Sequence, residues 1–200
     1  AKMLAAYAYA KLGYAIIPTG QDKRPLVQWR QYEQVPPEQE QLVEWWSNWP
    51  DANPAIICGK VSGLSVVDVD GPAGVESLKM LALPHTWTVR TPNDGYHLYY
   101  AYTPDLHQGA AFLPGLDVRS DGGYVLAPPS ELAGREYRVV RNIVPFTRLD
   151  VPDALRERRR GVALSSDPKT AKDPSWVVDA LQGVPEAQRN DTATRLAGYF

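Results

Sequence analysis

The stretch LSVVDVDGP, residues 64–72, carries the most structural information in the chain. Its β-branched residues predict a strand, which Gly71-Pro72 ends. Asp68 and Asp70 are two residues apart, so both side chains point to the same face of the strand, roughly 7 Å apart along it. They follow a hydrophobic run, and we therefore expect them where a central strand leaves the core.

The two carboxylates permit two interpretations. Held this close, they repel each other unless a cation neutralises them, and hard oxygen ligands favour Mg²⁺ or Mn²⁺. A two-metal site for phosphoryl transfer needs such a pair, often with a third carboxylate from elsewhere. The alternative is a strand end with two solvated aspartates that cap the next turn. Asp-x-Asp after a strand occurs in unrelated families, so this stretch favours metal binding without deciding it.

The segments around this strand predict an α+β fold. Apolar residues at helical spacing predict helices over 1–12, 37–46 and 73–81. A hairpin is predicted from strands 86–90 and 96–102 around the turn 92–95. The remaining short strands are predicted over 14–17, 55–58, 116–119, 124–127 and 137–140. Pro18 is expected to end the first of these, and Asn53-Pro54 is expected to form a turn.

Composition and charge exclude several classes of protein. With 44% hydrophobic and 22% charged residues, the chain is globular, and no apolar run approaches a membrane span. We expect a cytoplasmic protein without a signal peptide. The single cysteine, Cys58, excludes an internal disulfide and a cysteine-based zinc site. A net charge of −2 excludes a globally basic DNA-coating protein, so any nucleic-acid contact must use a local patch.

Arginines are concentrated in the last third of the chain, with eight in residues 135–160. They suit either a solvated helix end and linker or a contact to a phosphate backbone, and charge alone favours the former. The segment 159–173 has the small, polar composition of a linker. We therefore expect a catalytic domain over 1–158, a linker over 159–173, and over 174–200 the start of a small helical domain, cut from a longer protein.

His97 and Asp117 are the next candidates for a site. His97 follows the turn Asn93-Asp94-Gly95, whose backbone N–H groups could hold phosphate, and Arg90 is near in sequence. A satisfied structural histidine is the commoner use of such a residue. Asp117 lies on another apolar strand and could supply a third carboxylate.

Two charged neighbours of Asp117 have different expected roles. Arg119 shares a face with Asp117 and could neutralise a triphosphate. Asp121-Gly122 is a residue pair that favours a turn, so Asp121 is interpreted as structural.

The order of these motifs resembles that of the archaeo-eukaryotic primase superfamily. Asp-x-Asp after a hydrophobic strand comes first, then Gly-x-His, and then an aspartate after a hydrophobic residue. More narrowly, the chain resembles the bifunctional DNA primase/polymerase (prim-pol) domain of plasmids, phages and mobile elements. Further matching pieces are Gly13-Tyr14, Lys23-Arg24-Pro25, Trp45-Trp46, Gly122-Gly123-Tyr124 and Pro128-Pro129-Ser130. Residues 188–198 resemble the start of the small helical domain that often follows.

The resemblance implies a two-part domain whose catalytic sheet has an RNA-recognition-motif (RRM) layout. It implies that Asp68, Asp70 and Asp117 bind two divalent metals, Mg²⁺ or Mn²⁺, and that His97 contacts the phosphates of the incoming nucleotide. Arg119 and Lys23 are further candidates to bind the triphosphate, and Arg90, near His97 in sequence, is predicted to bind it as well. The implied activity is template-dependent nucleotidyl transfer, as a DNA primase and DNA polymerase in replication.

The implied partners are a single-stranded DNA template, a primer and dNTP or NTP substrates. A C-terminal helicase module or other replication and repair proteins are further expected partners, and no membrane is. The arginines of 135–160 and the tyrosines Tyr96, Tyr99 and Tyr124 are candidates to hold the template, although core packing explains the tyrosines equally well.

Two alternatives stay open. The first is a catalytically silent single-strand or origin DNA-binding module of replication. The second is a haloacid-dehalogenase-like phosphatase, whose nucleophile strand residues 66–71 mimic, although Pro72 stands where that family has threonine.

Overall fold

The computed structural model describes residues 1–156 and contains two larger sheets with helices packed on them and one two-stranded sheet. The helices are α1 (Lys2–Lys11), α2 (Gln39–Asn48), α3 (Gly71–Leu81) and α4 (Asp153–Arg156), with a 3₁₀ turn over Arg30–Glu33. The fold is therefore α+β, as predicted. The linker and C-terminal helices predicted for 159–200 lie outside the described residues. None of the four helices has the length and apolar content that a bilayer span requires.

Six strands form the larger sheet, in the order β11-β4-β5-β3-β7-β6. They are β3 (Leu64–Val69), β4 (Trp87–Arg90), β5 (Tyr96–Ala101), β6 (Gly109–Leu113), β7 (Leu116–Arg119) and β11 (Arg138–Arg141). Every neighbouring pair is antiparallel, and β4 and β5 form the predicted hairpin. The aspartate-bearing strand β3 therefore lies inside the sheet, between β5 and β7.

Three shorter strands form the second sheet, in the order β1-β2-β8. They are β1 (Ile16–Thr19), β2 (Asn53–Ile57) and β8 (Tyr124–Leu126), and a small hairpin of β9 (Glu131–Leu132) and β10 (Arg135–Glu136) follows. Two expectations were wrong here. Pro18 lies inside β1, and Asn53-Pro54 begins β2 rather than forming a turn. Pro18 is tolerated because β1 is an edge strand, and it pairs opposite Pro54 near the start of β2.

The side-chain alternation of β3 separates two hydrophobic cores. Leu64 and Val66 face a core shared with α1, α2 and the three-stranded sheet. Val67 and Val69 face the other core, which α3 and α4 cover through Leu78 and Leu155. Because side chains alternate along a strand, Asp68 is on the same face as Val66, toward the smaller sheet.

Buried aromatic residues fill the first core. Trp46 and Tyr99 are fully buried and Trp45 nearly so, which anchors α2 and β5. Tyr96 is also buried, on the α3 side of the sheet. Of the tyrosines considered for template stacking, only Tyr124 keeps an accessible surface. Core packing is therefore the role of Tyr96 and Tyr99.

Candidate functional site

A row of three polar residues crosses the middle of the larger sheet. In the strand register, Asp68 on β3 lies directly opposite His97 on β5 and directly opposite Asp117 on β7. Residues opposite each other in an antiparallel ladder share one face, with Cβ atoms about 5 Å apart. The register thus brings together three residues that are far apart in the sequence.

Asp70 joins this row from the end of β3. The strand ends at Val69, and Asp70 is the N-cap of α3. Its backbone N–H donates to the Gly115 carbonyl at 2.8 Å, which ties the start of α3 to the turn before β7. Asp68, Asp70 and Asp117 each offer a carboxylate oxygen, and these oxygens all lie within 4.8 Å of one another.

Among the described residues, basic side chains lie at ion-pair distance from Asp68 and Asp117 but not from Asp70. Arg119 Nη2 lies 2.9 Å from Asp117 Oδ2 and 3.5 Å from Asp68 Oδ2, and His97 Nε2 lies 3.4 Å from Asp68 Oδ1. Burial acts to raise the pKa of Asp68, but its contact with His97 and the charges of His97, Arg119 and Lys23 lower the pKa overall.

Asp70 has the opposite shift. Desolvation, followed by the negative charges of Asp68 and Asp117, raises the pKa of its carboxyl above the usual value. The positive charges of His97 and Lys23 oppose this shift without cancelling it. The acidic group therefore retains negative charge that its protein neighbours do not neutralise.

A cavity of about 300 Å³ opens beside this group, between the two sheets. Its polar lining includes Lys23, Asp68, His97 and Arg119, and its aromatic lining is Tyr124 and Tyr137. Lys23 lies in the loop after β1 with φ +66°, and its carbonyl accepts a hydrogen bond from the Tyr124 hydroxyl at 3.1 Å. The cavity thus presents cations next to carboxylates, which suits a phosphate-bearing ligand that brings its own metal.

A family model described as bifunctional DNA primase/polymerase, N-terminal (Prim-Pol), matches residues 6–154. The chain belongs to this family. No curated protein gives a significant match. The resemblance read from the sequence is therefore confirmed, and the family match favours nucleotidyl transfer over the phosphatase alternative.

The acidic group of this Prim-Pol domain fits a divalent metal. Its three carboxylates supply hard oxygen ligands, and their oxygens are close enough to share an ion. The pKa of Asp70 is raised first by desolvation and then by the negative charges of Asp68 and Asp117, and that repulsion would be relieved by an ion. Asp68, Asp70 and Asp117 would hold it. The group also lies at the end of a strand, where β3 passes into α3.

Of the residues predicted for the site, Arg90 alone lies elsewhere. In the β4–β5 ladder, Val89 is opposite His97, whereas Arg90 is opposite Tyr96 on the other face of the sheet. Its guanidinium donates to Asp94 at 2.7 Å and lines a different cavity. Asp121 is structural, as interpreted: its carboxylate accepts from the Lys60 backbone N–H and from the Tyr102 hydroxyl, each at 2.8 Å.

Two residues of the site cavity were not predicted. Tyr137, just before β11, is buried, and its ring lies 5.6 Å from that of His97. Gln108, before β6, also lines the cavity, and its Oε1 accepts from the Ser120 backbone N–H at 2.9 Å. In the sequence, the only indication for Tyr137 is that it is an aromatic residue at the start of a predicted strand, and nothing indicates Gln108. Both side chains reach the site from segments that are distant in sequence, so no local pattern predicts them.

Proposed function

We propose that this Prim-Pol domain catalyses template-directed nucleotidyl transfer, as a DNA primase and polymerase, with two Mg²⁺ or Mn²⁺ ions at Asp68, Asp70 and Asp117. The observation that carries the proposal is the grouping of three carboxylates on one sheet face beside a cavity lined by Lys23 and Arg119. Ligand oxygens for metals and cations for a triphosphate are the two requirements of this chemistry.

Different side chains of the site have different proposed roles in binding the metals and the nucleotide. Asp68, Asp70 and Asp117 would hold the ions, which would supply activation of a 3′-hydroxyl and neutralisation of charge on the triphosphate. Lys23 and Arg119 bind the phosphates of a dNTP or NTP from the cavity side. His97 Nε2 lies 3.4 Å from Asp68 Oδ1, and its single N–H would pass from that carboxylate to a phosphate oxygen when the nucleotide binds. Catalysis of this kind consists mainly of positioning and charge stabilisation.

The arrangement of the larger sheet supports the proposed RRM-like layout. Strands β4-β5-β3-β7 are consecutive in the sheet, and α3 connects β3 to β4. The second connection, from β5 to β7, contains β6 in place of a helix. This layout places the acidic row on the face of the larger sheet that borders the cavity, from which a template and a primer end would approach.

The wider biological setting is also part of the proposal. The substrates are a single-stranded DNA template, a primer and nucleoside triphosphates, in the cytoplasm. The catalytic domain is proposed to occupy residues 1–158. A helicase module or other replication and repair proteins act with it.

Primer extension tests the proposed activity. A labelled primer–template is incubated with the full chain, Mg²⁺ or Mn²⁺, and dNTPs or NTPs in separate reactions. We expect extension by the wild type and its loss in Asp117→Asn and Asp68→Asn, since each removes a metal ligand. Asp51→Asn, at an exposed aspartate outside the larger sheet, serves as the matched control and retains activity.

Metal binding gives a second readout that does not depend on turnover. Titration with Mn²⁺ is expected to show binding to the wild type that Asp117→Asn weakens strongly. DNA binding without nucleotide incorporation under every condition would instead identify a non-catalytic DNA-binding module. Incorporation that survives Asp117→Asn would contradict the assignment of that residue.

A further inference from the structure

A second cavity, which we call the arginine cavity, lies at the β11 edge of the larger sheet and has a volume of about 290 Å³. Arg90 at the end of β4 and Arg138 at the start of β11 are opposite each other in the ladder. Arg135, on β10, completes the set, and the acidic residues of the lining are Asp94 and Glu136. None of these residues lines the cavity beside Asp68.

Asp94 holds two of the guanidinium groups in place. Its Oδ1 accepts from Arg90 Nη2 at 2.7 Å and its Oδ2 accepts from Arg135 Nη2 at 3.0 Å. Each bond uses one of the five N–H groups that a guanidinium carries. Arg138 is within 3.5 Å of Glu136 in a looser ion pair. Since three arginines face two carboxylates, the cavity has a net charge of +1.

These arginines are accessible to a ligand. The side chains of Arg90, Arg135 and Arg138 are 49%, 56% and 56% exposed. The lining described for residues 1–156 contains no aromatic ring on which a base could stack. Its chemistry therefore recognises a phosphate group without its base.

The turn that carries Asp94 also touches the acidic group. Gly95 follows Asp94 directly, and a Cβ placed on Gly95 would lie 2.3 Å from the Val69 carbonyl oxygen and 3.4 Å from Asp70 Oδ1. One side of this turn therefore packs on the end of β3, and the other side holds Arg90 and Arg135. This one short turn therefore joins the arginine cavity to the end of β3, next to Asp70.

We propose that the arginine cavity binds the sugar–phosphate backbone of single-stranded DNA, independently of base sequence. The proposal rests on the nucleotidyl-transfer function, which requires a strand to reach the acidic group. A free nucleoside triphosphate is the other source of phosphate, but Arg119 and Lys23 already face the site cavity, whereas Arg90 lies on the opposite face of the sheet.

Fluorescence anisotropy of a labelled oligo(dT) tests this proposal, with the full chain and without divalent ions. Arg135→Ala/Arg138→Ala should weaken binding about threefold to tenfold, the range for two exposed ion pairs. The slope of log K against log salt should become shallower by about 0.7 for each phosphate that the variant no longer neutralises. Glu136→Gln should tighten binding because it raises the cavity charge to +2. Arg30→Ala is the control, since Arg30 is an exposed arginine paired with Glu33 in the same way.

Three outcomes overturn the proposal: the double variant binds oligo(dT) as the Arg30→Ala control does, Glu136→Gln weakens binding, or the double variant loses affinity only for labelled dATP. Primer extension on the same variants separates this proposal from the activity. We expect the double variant to retain wild-type turnover at saturating DNA with a raised KM for DNA. If the wild type extends no primer and the double variant still loses DNA affinity, the arginine cavity stands and the polymerase assignment fails.

Discussion

Asp68 and Asp70 are two residues apart, yet of these two only Asp68 has a basic side chain at ion-pair distance among residues 1–156. Its oxygens lie 3.5 Å from Arg119 Nη2 and 3.4 Å from His97 Nε2. Asp70, at the more exposed N-cap of α3, faces the negative charge of Asp68 and Asp117 instead. Desolvation raises the pKa of both carboxyls, but the contacts of Asp68 with His97 and Arg119 outweigh it, whereas the negative charges near Asp70 add to it. The net pKa shifts are therefore opposite, so Asp68 contributes to folding stability and Asp70 opposes it.

The first prediction concerns these two carboxylates in the absence of divalent ions. At pH 7, Asp70→Asn should raise the free energy of unfolding by less than about 1 kcal/mol, because the repulsion it removes is screened by solvent. Asp68→Asn should lower the free energy of unfolding, because it removes the partner of His97 and one partner of Arg119. Urea unfolding of the wild type, both variants and the Asp51→Asn control provides the measurement.

Asp68 and Asp70 affect the pH dependence of the free energy of unfolding in opposite directions. The pKa of Asp68 is lowered on folding, so its stabilisation is present above the unfolded pKa of about 3.9 and is lost as the pH falls through the folded value. The pKa of Asp70 is raised, so its penalty is complete above the folded pKa and disappears as the pH falls below the unfolded one. The stability difference of Asp70→Asn should therefore vanish as the pH falls below the unfolded pKa of about 3.9, whereas that of Asp68→Asn should persist to lower pH and vanish only below the folded pKa of Asp68. A stabilising Asp68→Asn at pH 7 would contradict this assignment.

Arg119 carries the second prediction, which has two readouts of opposite sign. Its guanidinium contacts the carboxylates of Asp68 and Asp117, so it competes with a cation for the same oxygens. Arg119→Ala should bind Mn²⁺ more tightly than wild type when no nucleotide is present. It should also raise the KM for dNTP about tenfold or more, the effect of losing a charged hydrogen bond to phosphate.

Calorimetric Mn²⁺ titration and steady-state extension kinetics measure the two effects. Arg119→Lys keeps the charge without the forked geometry and should fall between wild type and Arg119→Ala in both. The exposed Arg30→Ala variant should change neither. Weaker Mn²⁺ binding by Arg119→Ala would show that Arg119 supports the metal ligands rather than competing with the ion.

Much of this site follows from local pattern. Strand periodicity directly predicts the features that belong to single strands. These are the i, i+2 spacing of Asp68 and Asp70, the hydrophobic run before them, and the shared face of Asp117 and Arg119. Arg90 was predicted at the site because it is close to His97 in sequence, but this closeness does not determine which face of the sheet a side chain is on. The register sets Val89, not Arg90, opposite His97.

Long-range contacts account for the other differences. Tyr137 and Gln108 reach the cavity from distant segments, and no local signal marks such an approach. Pro18 and Pro54 suggested breaks in the chain, but pairing between β1 and β2 overrides the local preference of both. Tertiary pairing commonly prevails over strand propensity in this way.

His97 carries the third prediction, which distinguishes its two ring nitrogens. Nε2 faces Asp68, whereas Nδ1 is buried with no hydrogen-bond partner among the described residues. If Nε2 is the phosphate donor, Gln, whose amide nitrogen reaches the Nε2 position, should preserve more activity than Asn, whose amide reaches the Nδ1 position. His97→Ala should lower kcat/KM by about 10- to 100-fold.

Extension kinetics on His97→Gln, His97→Asn and His97→Ala give the ranking, and anisotropy with oligo(dT) checks that DNA binding is retained. Equal activity of the Gln and Asn variants would remove the case for a specific nitrogen. Higher activity of the Asn variant would assign the role to Nδ1 and require the ring to turn.

The fourth prediction concerns Gly115, which lies where the β7 turn packs against the start of α3. Gly115 has φ +68°, and a Cβ there would lie 2.4 Å from the Gly74 nitrogen and 2.5 Å from the Asp70 carbonyl oxygen. Gly63 has nearly the same φ, +67°, with nothing within 4 Å of its Cβ position. The two glycines therefore share the backbone cost of alanine and differ only in available space.

Gly63→Ala should cost about 1 to 2 kcal/mol, the penalty of a left-handed conformation for an L-residue, and should leave activity unchanged. Gly115→Ala should cost about 1 to 3 kcal/mol more, because the backbone around Gly74 and Asp70 must move apart. That movement shifts the carboxylates of Asp70 and Asp117, so Gly115→Ala should also weaken Mn²⁺ binding while still folded. Urea unfolding and Mn²⁺ titration of both variants test this, and equal stability of the two would show that the close approach at Gly115 places no constraint on the site.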